Sequence, residues 1–356
     1  MESASQPIHA TSGLTMGRGG SGLPGWATWG VLGVSAAVTA AVLLAAGVFT
    51  VALTLVFGTI LSAAALYAWS RAVEGPRRAL DRVMTLTIAA AFGLAMIPLF
   101  SLVYEVVKRG APGLSLEFFT EDARGQVAGG GAAHAIVGTL VITGVAALIS
   151  VPIGIMAAIY LNEYGTGRLR RALTFFVDVM TGIPSIVAGL FAYALFELFL
   201  GPGIRLGVMG SVALSVLMIP IVIRSAEEVL KIVPNHLREA AYALGTPKWK
   251  TIVKVVLPTA FAGLITGVMI AIARIVGETA PLLVTTGVVD SMNTDPFNGR
   301  MQNLAVYAYN EYRSPGVMKQ AAYEKAWAAA LTLIAIVMIL NVAARLVYRR
   351  YKTEIR

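Results

Sequence analysis

The sequence predicts an all-α protein, a polytopic bundle of membrane helices. Two compositional facts and one pattern carry that reading. Of 356 residues, 57% are hydrophobic and only 13% are Asp, Glu, Lys or Arg, where a soluble domain carries about 25% charge. Mean hydropathy is +0.75. A chain so poor in charge cannot cover itself with a charged surface, so lipid is its main solvent. The pattern is a succession of uncharged stretches, each long enough to cross a ~30 Å hydrocarbon layer, which takes about 20 apolar residues. A soluble enzyme, a disordered chain and a secreted disulfide scaffold are thereby excluded.

The residue inventory narrows the chemistry. There is no cysteine, which removes disulfides, thiolate–zinc sites and thiol nucleophiles. His9, His134 and His236 lie too far apart for a multi-histidine metal site or a Ser-His-Asp hydrolase to be expected. No GxxxxGK(S/T) phosphate loop occurs, so ATP has no such cradle on this chain. Cofactors and metals are expected to be absent.

Residues 1–25 are rich in Gly, Ser and Thr and read as a disordered tail. A signal peptide competes for residues 1–45, but the apolar run starts late and far exceeds an h-region of 7–15 residues. No charge falls between Arg18 and Arg71. The stretch 26–70 therefore holds two spans, a hairpin turning near Gly47–Thr50, with tryptophans at interfacial depth. A third span runs from Met84 to Val107, a fourth from His134 to Leu161 and a fifth from Ala172 to Leu200. The sixth fits between Arg205 and Arg224 and contains Pro220. The seventh starts near Val255, and the last lies between Lys325 and Arg345. The seventh is too long for one straight crossing, so a break is expected near Gly277–Pro281. Broken helices are tolerated in lipid where protein or a water-filled cavity surrounds them.

Basic residues orient the bundle. The loops 71–82, 162–173 and 224–254 and the tail 345–356 hold eighteen Lys or Arg, against eight in 108–133, 201–207 and 290–325. The richer set belongs in the cytoplasm, and eight spans then place both termini there. The net charge of +9, which in a soluble protein would suggest nucleic acid, becomes a topology signal, and no nucleic-acid partner is expected. In the outward loop 108–133, Gly129-Gly130-Gly131 reads as a connector, since no helix with a lysine follows. The outward segment 290–325, with Pro296, Tyr307, Tyr309 and Tyr312, is large enough to touch a soluble partner.

Residues 234–258, PNHLREAAYALGTPKWKTIVKVVLP, predict a short helix, a tight corner and a second helix. Pro234 suits the start. Leu237, Ala240, Ala241 and Leu244 fall on one helical face. Gly245 suits a left-handed C-terminal cap, and Thr246-Pro247 suits the next N-cap and first turn. By chemistry alone two readings stand open: a lever that carries a push from a soluble partner into the bilayer, or an amphipathic helix lying on the membrane surface.

Within that loop, Glu239-Ala240-Ala241, Gly245 and Val255-x-Leu257-Pro258 resemble the EAA signature of ABC-importer permeases, with valine where the family usually has isoleucine. The stretches GTLVITGVAALISVPIGIMAAIYLNEY (138–164), DVMTGIPSIVAGL (178–190), REAAYALGTPKWKT (238–251), ARIVGETAPLL (273–283) and MNTDPFNG (292–299) are similar to the PstA-type permeases of phosphate ABC importers. The resemblance covers 84–350. It implies a six-span type I permease core with a cytoplasmic coupling loop at 224–254, leaving the hairpin 26–70 as an accessory. It implies residence in the bacterial plasma membrane and four kinds of partner: a homologous permease of the PstC type, ATP-binding subunits of the PstB type, an extracytoplasmic phosphate-binding protein of the PstS type, and lipid. ATP and its magnesium would sit on the PstB-type subunits.

Ionisable groups inside spans are functional hypotheses by default. Arg274 and Glu278 lie four apart, on one helix face. A guanidinium can bond two oxygens of a tetrahedral oxyanion at once and stays charged. Glu278 could orient that fork and accept from a protonated phosphate oxygen, while repelling sulfate. The alternative is an ion pair that only pins the break. Arg224 and Glu227 form a second pair, where the alternative is an arginine snorkelling at the inner interface; in the resembling permeases an arginine and an acid at matching positions are implicated in phosphate passage. Asp178, about two turns into the fifth span, either lines the path or pairs with a base on another helix. Thr181, Gly182 and Ser185 around Pro184 favour close packing. Glu105, Glu197 and His134 read as interfacial. Besides a phosphate permease, a permease for another oxyanion, a gradient-driven carrier and a membrane-bound sensor remain open.

Overall fold

The computed structural model describes residues 22–124 and 130–352, with side chains to residue 346. The expected tail up to residue 21 and the connector up to Gly129 lie outside them. All regular structure among the described residues is helical. The chain divides into two compact units at Val103/Tyr104.

The first unit contains α1 (Ala27–Ala45), α2 (Val51–Glu74) and most of α3 (Pro76–Gly110). The expected hairpin forms, turning through Gly47 at φ +69°, and Thr50 caps α2 by accepting the Leu53 N–H at 3.4 Å. Lipid offers helices little hydrophobic drive to associate, so they pack through small residues. Ser35 and Thr39 of α1 and Gly58, Ser62 and Ser70 of α2 are buried. A Cβ on Gly58 would lie 3.3 Å from the Ala36 Cα. Glu74 fastens the end of the hairpin: it accepts from Arg82 Nε and Nη2 and from Ser70 Oγ at 2.7 Å, and from the Leu23 N–H at 2.6 Å.

The second unit holds α4 (Leu116–Thr120), α5 (Ala133–Ile159), α6 (Gly167–Gly182), α7 (Ser185–Leu200), α8 (Gly207–Ile232), α9 (Asn235–Ala243), α10 (Lys248–Thr251), α11 (Leu257–Val276), α12 (Ala280–Thr285), α13 (Leu304–Arg313) and α14 (Lys319–Lys352). Its core is α5 against α8, with α11 and α12 closing over Ile142, Leu214, Met218, Ala271, Ile275 and Leu282. Serines stitch the α5–α8 seam, where Ser211 Oγ donates to the Ile142 carbonyl at 3.0 Å and Ser215 Oγ to Ala146 at 3.4 Å. A second cluster joins Phe118, Leu304 and Tyr307 to Ala328 and Ala329 of α14.

Seven helices among the described residues are long and apolar enough to cross a membrane, and an eighth crossing is possible if one sharply bent pair counts as a single span. That pair is the predicted fifth span, which the structure splits into α6 and α7 with a 109° bend. The cause is Pro184. Its ring disfavours helical backbone at the residue before it, and Ile183 is extended at ψ 128°. The predicted break in the seventh span is present: α11 stops at Val276, Gly277 follows at ψ 0°, and α12 resumes at Ala280. The two interruptions lean on each other, since a Cβ on Gly189 of α7 would lie 2.6 Å from the Pro281 Cα of α12.

Candidate functional site

The predicted short helix forms as α9. Pro234 occupies the N-cap, and Gly245 adopts φ +73°. The N–H groups of Gly245 and Thr246 donate back to Tyr242 and Ala241 at 2.9 and 3.1 Å, closing the helix end. Pro247 itself takes the N-cap of α10, one position later than the sequence suggested. Leu257 opens α11 and Pro258 is its second residue, where a missing N–H is harmless. Among the described residues the predicted apolar face is only partly covered. Leu237, Ala240, Ala241 and Leu244 line an open groove with Thr246, Lys250, Lys254 and Val255. Leu244 is 86% exposed, and Glu239 is exposed beside it.

What holds α9 in place escaped the sequence. Arg238 Nε and Nη2 donate to Glu163 Oε1 at 3.1 and 2.8 Å. Its remaining N–H groups reach the Val233 carbonyl at 2.7 Å, Asn235 Oδ1 at 3.2 Å and the Leu230 carbonyl at 3.1 Å. Lys248 donates to the Glu163 carbonyl and lies 4.9 Å over the Tyr164 ring. Glu163 and Tyr164 belong to a π-helical turn, Tyr160–Tyr164, that ends α5. A second π-turn, Ile252–Val256, precedes α11.

Four other predicted or neighbouring charges come together at the α6–α8 contact. Arg224 bonds Asp178 across that contact and Glu227 Oε2 at 3.0 Å along α8. Lys231 takes the other oxygen of Glu227 at 2.9 Å. Asp178 thus pairs with a base on another helix. Its side chain is 60% exposed, whereas that of Glu227 is nearly buried.

Arg274 and Glu278 are not brought together. No ion pair joins them among the described residues, because the helix ends at Val276 and the i,i+4 geometry ends with it. The break is held instead by main-chain bonds: the Glu278 N–H donates to Ile275 at 3.1 Å, and the Glu278 carbonyl accepts from Asn303 Nδ2 at 3.4 Å. Arg274 lies in the last turn of α11, exposed, two turns along from buried Gly267 at the flank of the face that buries Leu264, Ala271 and Ile275. Gly267 is level with Ser225, because a Cβ there would meet Ser225 Oγ at 2.0 Å. Arg274 thus stands two turns beyond the Arg224 level along the packed helices, about 10 Å at 1.5 Å per residue.

His134 is buried within the protein, edge-on to the Tyr307 ring at 5.6 Å. Thr181 turns its hydroxyl onto the Val177 carbonyl of its own helix at 2.8 Å. Of the tyrosines in 290–325, Tyr307 is buried and Tyr312 is exposed, both on α13. Outside the spans, the Asp122 carboxyl is held below the usual range, chiefly by accepting the Met292 N–H. That contact ties 108–133 to 290–325.

Residues 150–353 match the family described as the binding-protein-dependent transport system inner membrane component. The chain is 45% identical over 275 residues to the phosphate transport system permease protein PstA 1 of Mycobacterium tuberculosis (strain CDC 1551 / Oshkosh), covering 76% of this chain and 89% of that protein. It is 39% identical over 282 residues to the PstA protein of Yersinia pestis, covering 78% and 92%. Among solved structures, a chain of a bacterial alginate ABC transporter superposes with a TM-score of 0.55 at 15% identity, covering 76% of this chain and 95% of that one. An inward-facing methionine ABC transporter gives 0.51 at 22%, covering 62% and 95%. At such identities these two establish the fold alone.

Proposed function

Because the chain belongs to the PstA permeases, within the family of binding-protein-dependent inner membrane components, we propose that it forms one half of an oxyanion path with Arg274 as a substrate-facing group. The chain is the permease component of a phosphate ABC transporter, a multi-pass inner membrane protein whose ATPase is a separate subunit. As a permease of this family it takes no cofactor of its own. The other half of the path would be a homologous PstC-type permease, with PstB-type ATPases carrying ATP and magnesium at the Glu239–Gly245 helix and a PstS-type protein delivering phosphate from outside. The six-span core at 84–350, the accessory hairpin at 26–70 and cytoplasmic termini complete this reading.

One observation carries it. Arg274 is an exposed cation, without an ion pair among the described residues, in the last turn of an otherwise apolar helix. Facing lipid it would cost roughly 2.5–3.5 kcal/mol on insertion scales; facing a second permease across a hydrated path it costs far less and attracts anions. Arg224, held by Asp178 and Glu227, stands deeper, about 10 Å along the helices, and would be the next station. Glu278 beside the break would discriminate by protonation state. Closure of the ATPases on α9 would alternate access between the stations.

The test is radiolabelled phosphate uptake by vesicles holding the full complex. Arg274→Ala should lower uptake at sub-saturating phosphate by about tenfold, the loss of one charge-assisted hydrogen-bonding group. Equal uptake would remove Arg274 from the path. Uptake blocked by sulfate or molybdate yet indifferent to excess phosphate would point to another oxyanion.

A further inference from the structure

A short helix that receives a push must be stiffly joined to whatever it moves. The only covalent links of α9 are its two ends, to α8 through Val233–Pro234 and to α10 through the corner at Gly245. A glycine corner is a compliant link, and so is an extended Val233 at ψ 122°. Joined only there, α9 could rock without displacing the spans.

The structure adds a third, non-covalent joint. Arg238 uses every one of its five N–H groups: two on Glu163, two on the free carbonyls of Leu230 and Val233 at the end of α8, and one on Asn235. One planar guanidinium therefore ties the start of α9 to the ends of both α5 and α8, and its fixed fork makes the joint rigid. Glu163 also receives Asn162 Nδ2 at 2.9 Å on its carboxylate and Lys248 on its carbonyl. The side chains of Arg238 and Glu163 are 12% and 6% exposed, so water competes little for their bonds. Below the joint, Ala158 of α5, Leu230 of α8 and Val256, Ala260 and Leu264 at the head of α11 form one packed cluster. Both π-turns border this place, and such turns recur where a helix is adapted to function.

We propose that Glu163 is a positioning residue for energy coupling: through Arg238 its carboxylate locks α9 to the end of α5, so that displacement of α9 moves α5, α8 and α11 together. This rests on the reading of α9 as the ATPase-docking element.

The experiment compares phosphate taken up per ATP hydrolysed, using radiolabelled inorganic phosphate and the complete complex in proteoliposomes. In Glu163→Ala the ratio should fall about tenfold, within the usual range of coupling factors, while ATP hydrolysis stays within about twofold of wild type. Glu163→Gln, which keeps the accepting oxygen, should retain an intermediate ratio. The chain has no cysteine, so Glu163→Cys with Arg238→Cys can be bridged by a reducible bifunctional thiol reagent. Bridging should restore the ratio and reduction should abolish it again. A purely structural loss would lower hydrolysis, assembly and uptake together and would not respond to the bridge. An unchanged ratio in Glu163→Ala, or no response to bridging, overturns the proposal. If Glu163→Ala fails to assemble, the bridged pair alone decides. Wild-type complex without ATP-dependent uptake would instead sink the underlying reading of α9.

Discussion

Arg238 and Arg274 lie on α9 and α11, and folding treats them in opposite ways. Arg238 is nearly buried, with all five donors engaged. Arg274 is exposed at the end of an apolar helix and is held by no carboxylate among the described residues. A cation that folding has satisfied belongs to the frame. A cation that folding leaves open inside a membrane helix is poised for something outside the chain. The frame therefore concentrates at the end carrying α9, and the open charge lies two turns beyond the Arg224 level.

The largest expected effect separates the two directly. Arg238→Ala strands the buried Glu163 carboxylate, and breaking a buried pair costs about 3–5 kcal/mol. The solubilised complex should melt at clearly lower temperature and lose ATPase subunits on purification. Arg274→Gln should leave melting unchanged within about 0.5 kcal/mol and lose uptake. Equal destabilisation by both substitutions would mean that Arg274 is frame as well.

A smaller effect tests whether the break beside Arg274 is held from the far side. The α7–α12 contact is closed by Gly189 against Pro281, so Gly189→Leu must push the two interrupted spans apart. Overpacking of this kind costs about 1–3 kcal/mol. Uptake should fall more steeply than complex abundance, because the displaced segment carries the Gly277 break and Arg274 ends the helix before it. A fall in abundance alone would place the break outside the transport cycle.

Local chemistry made much of this legible in advance. The turn at Gly47, the cap at Gly245, the run of spans and the break at Gly277 are each written in a few consecutive residues, and all are present. Pro184 was visible too, but its consequence was underread: a proline that forbids helix at the residue before it bends a span by 109° when nothing continues the hydrogen-bond ladder. Glu163 and Arg238 are 75 positions apart, and no periodicity or spacing connects them; only the meeting of α5 and α8 does. Arg274 and Glu278 erred the other way. Four-residue spacing promised a contact, but that spacing implies neighbours only while the helix continues, and Gly277 intervenes.

Asp178 lies between the two extremes and carries the finest test. Its bond to Arg224 spans α6 and α8, yet its carboxylate is 60% exposed, while the nearly buried Glu227 holds Arg224 from within α8. An ion pair with so exposed a member contributes about 0–1 kcal/mol, so Asp178→Asn should barely alter melting. The same weakness makes Asp178 the partner that an arriving oxyanion can displace, because Glu227 remains anchored by Lys231 at 2.9 Å. With the competing carboxylate neutralised, Arg224 should meet phosphate more readily, and half-maximal uptake should shift to lower phosphate by a few-fold, the equivalent of less than about 1 kcal/mol. The sign of the shift is the discriminating quantity. If Arg224 only anchors α6 to α8, Asp178→Asn loosens the α6–α8 contact, and uptake falls at every phosphate concentration with no shift in the midpoint.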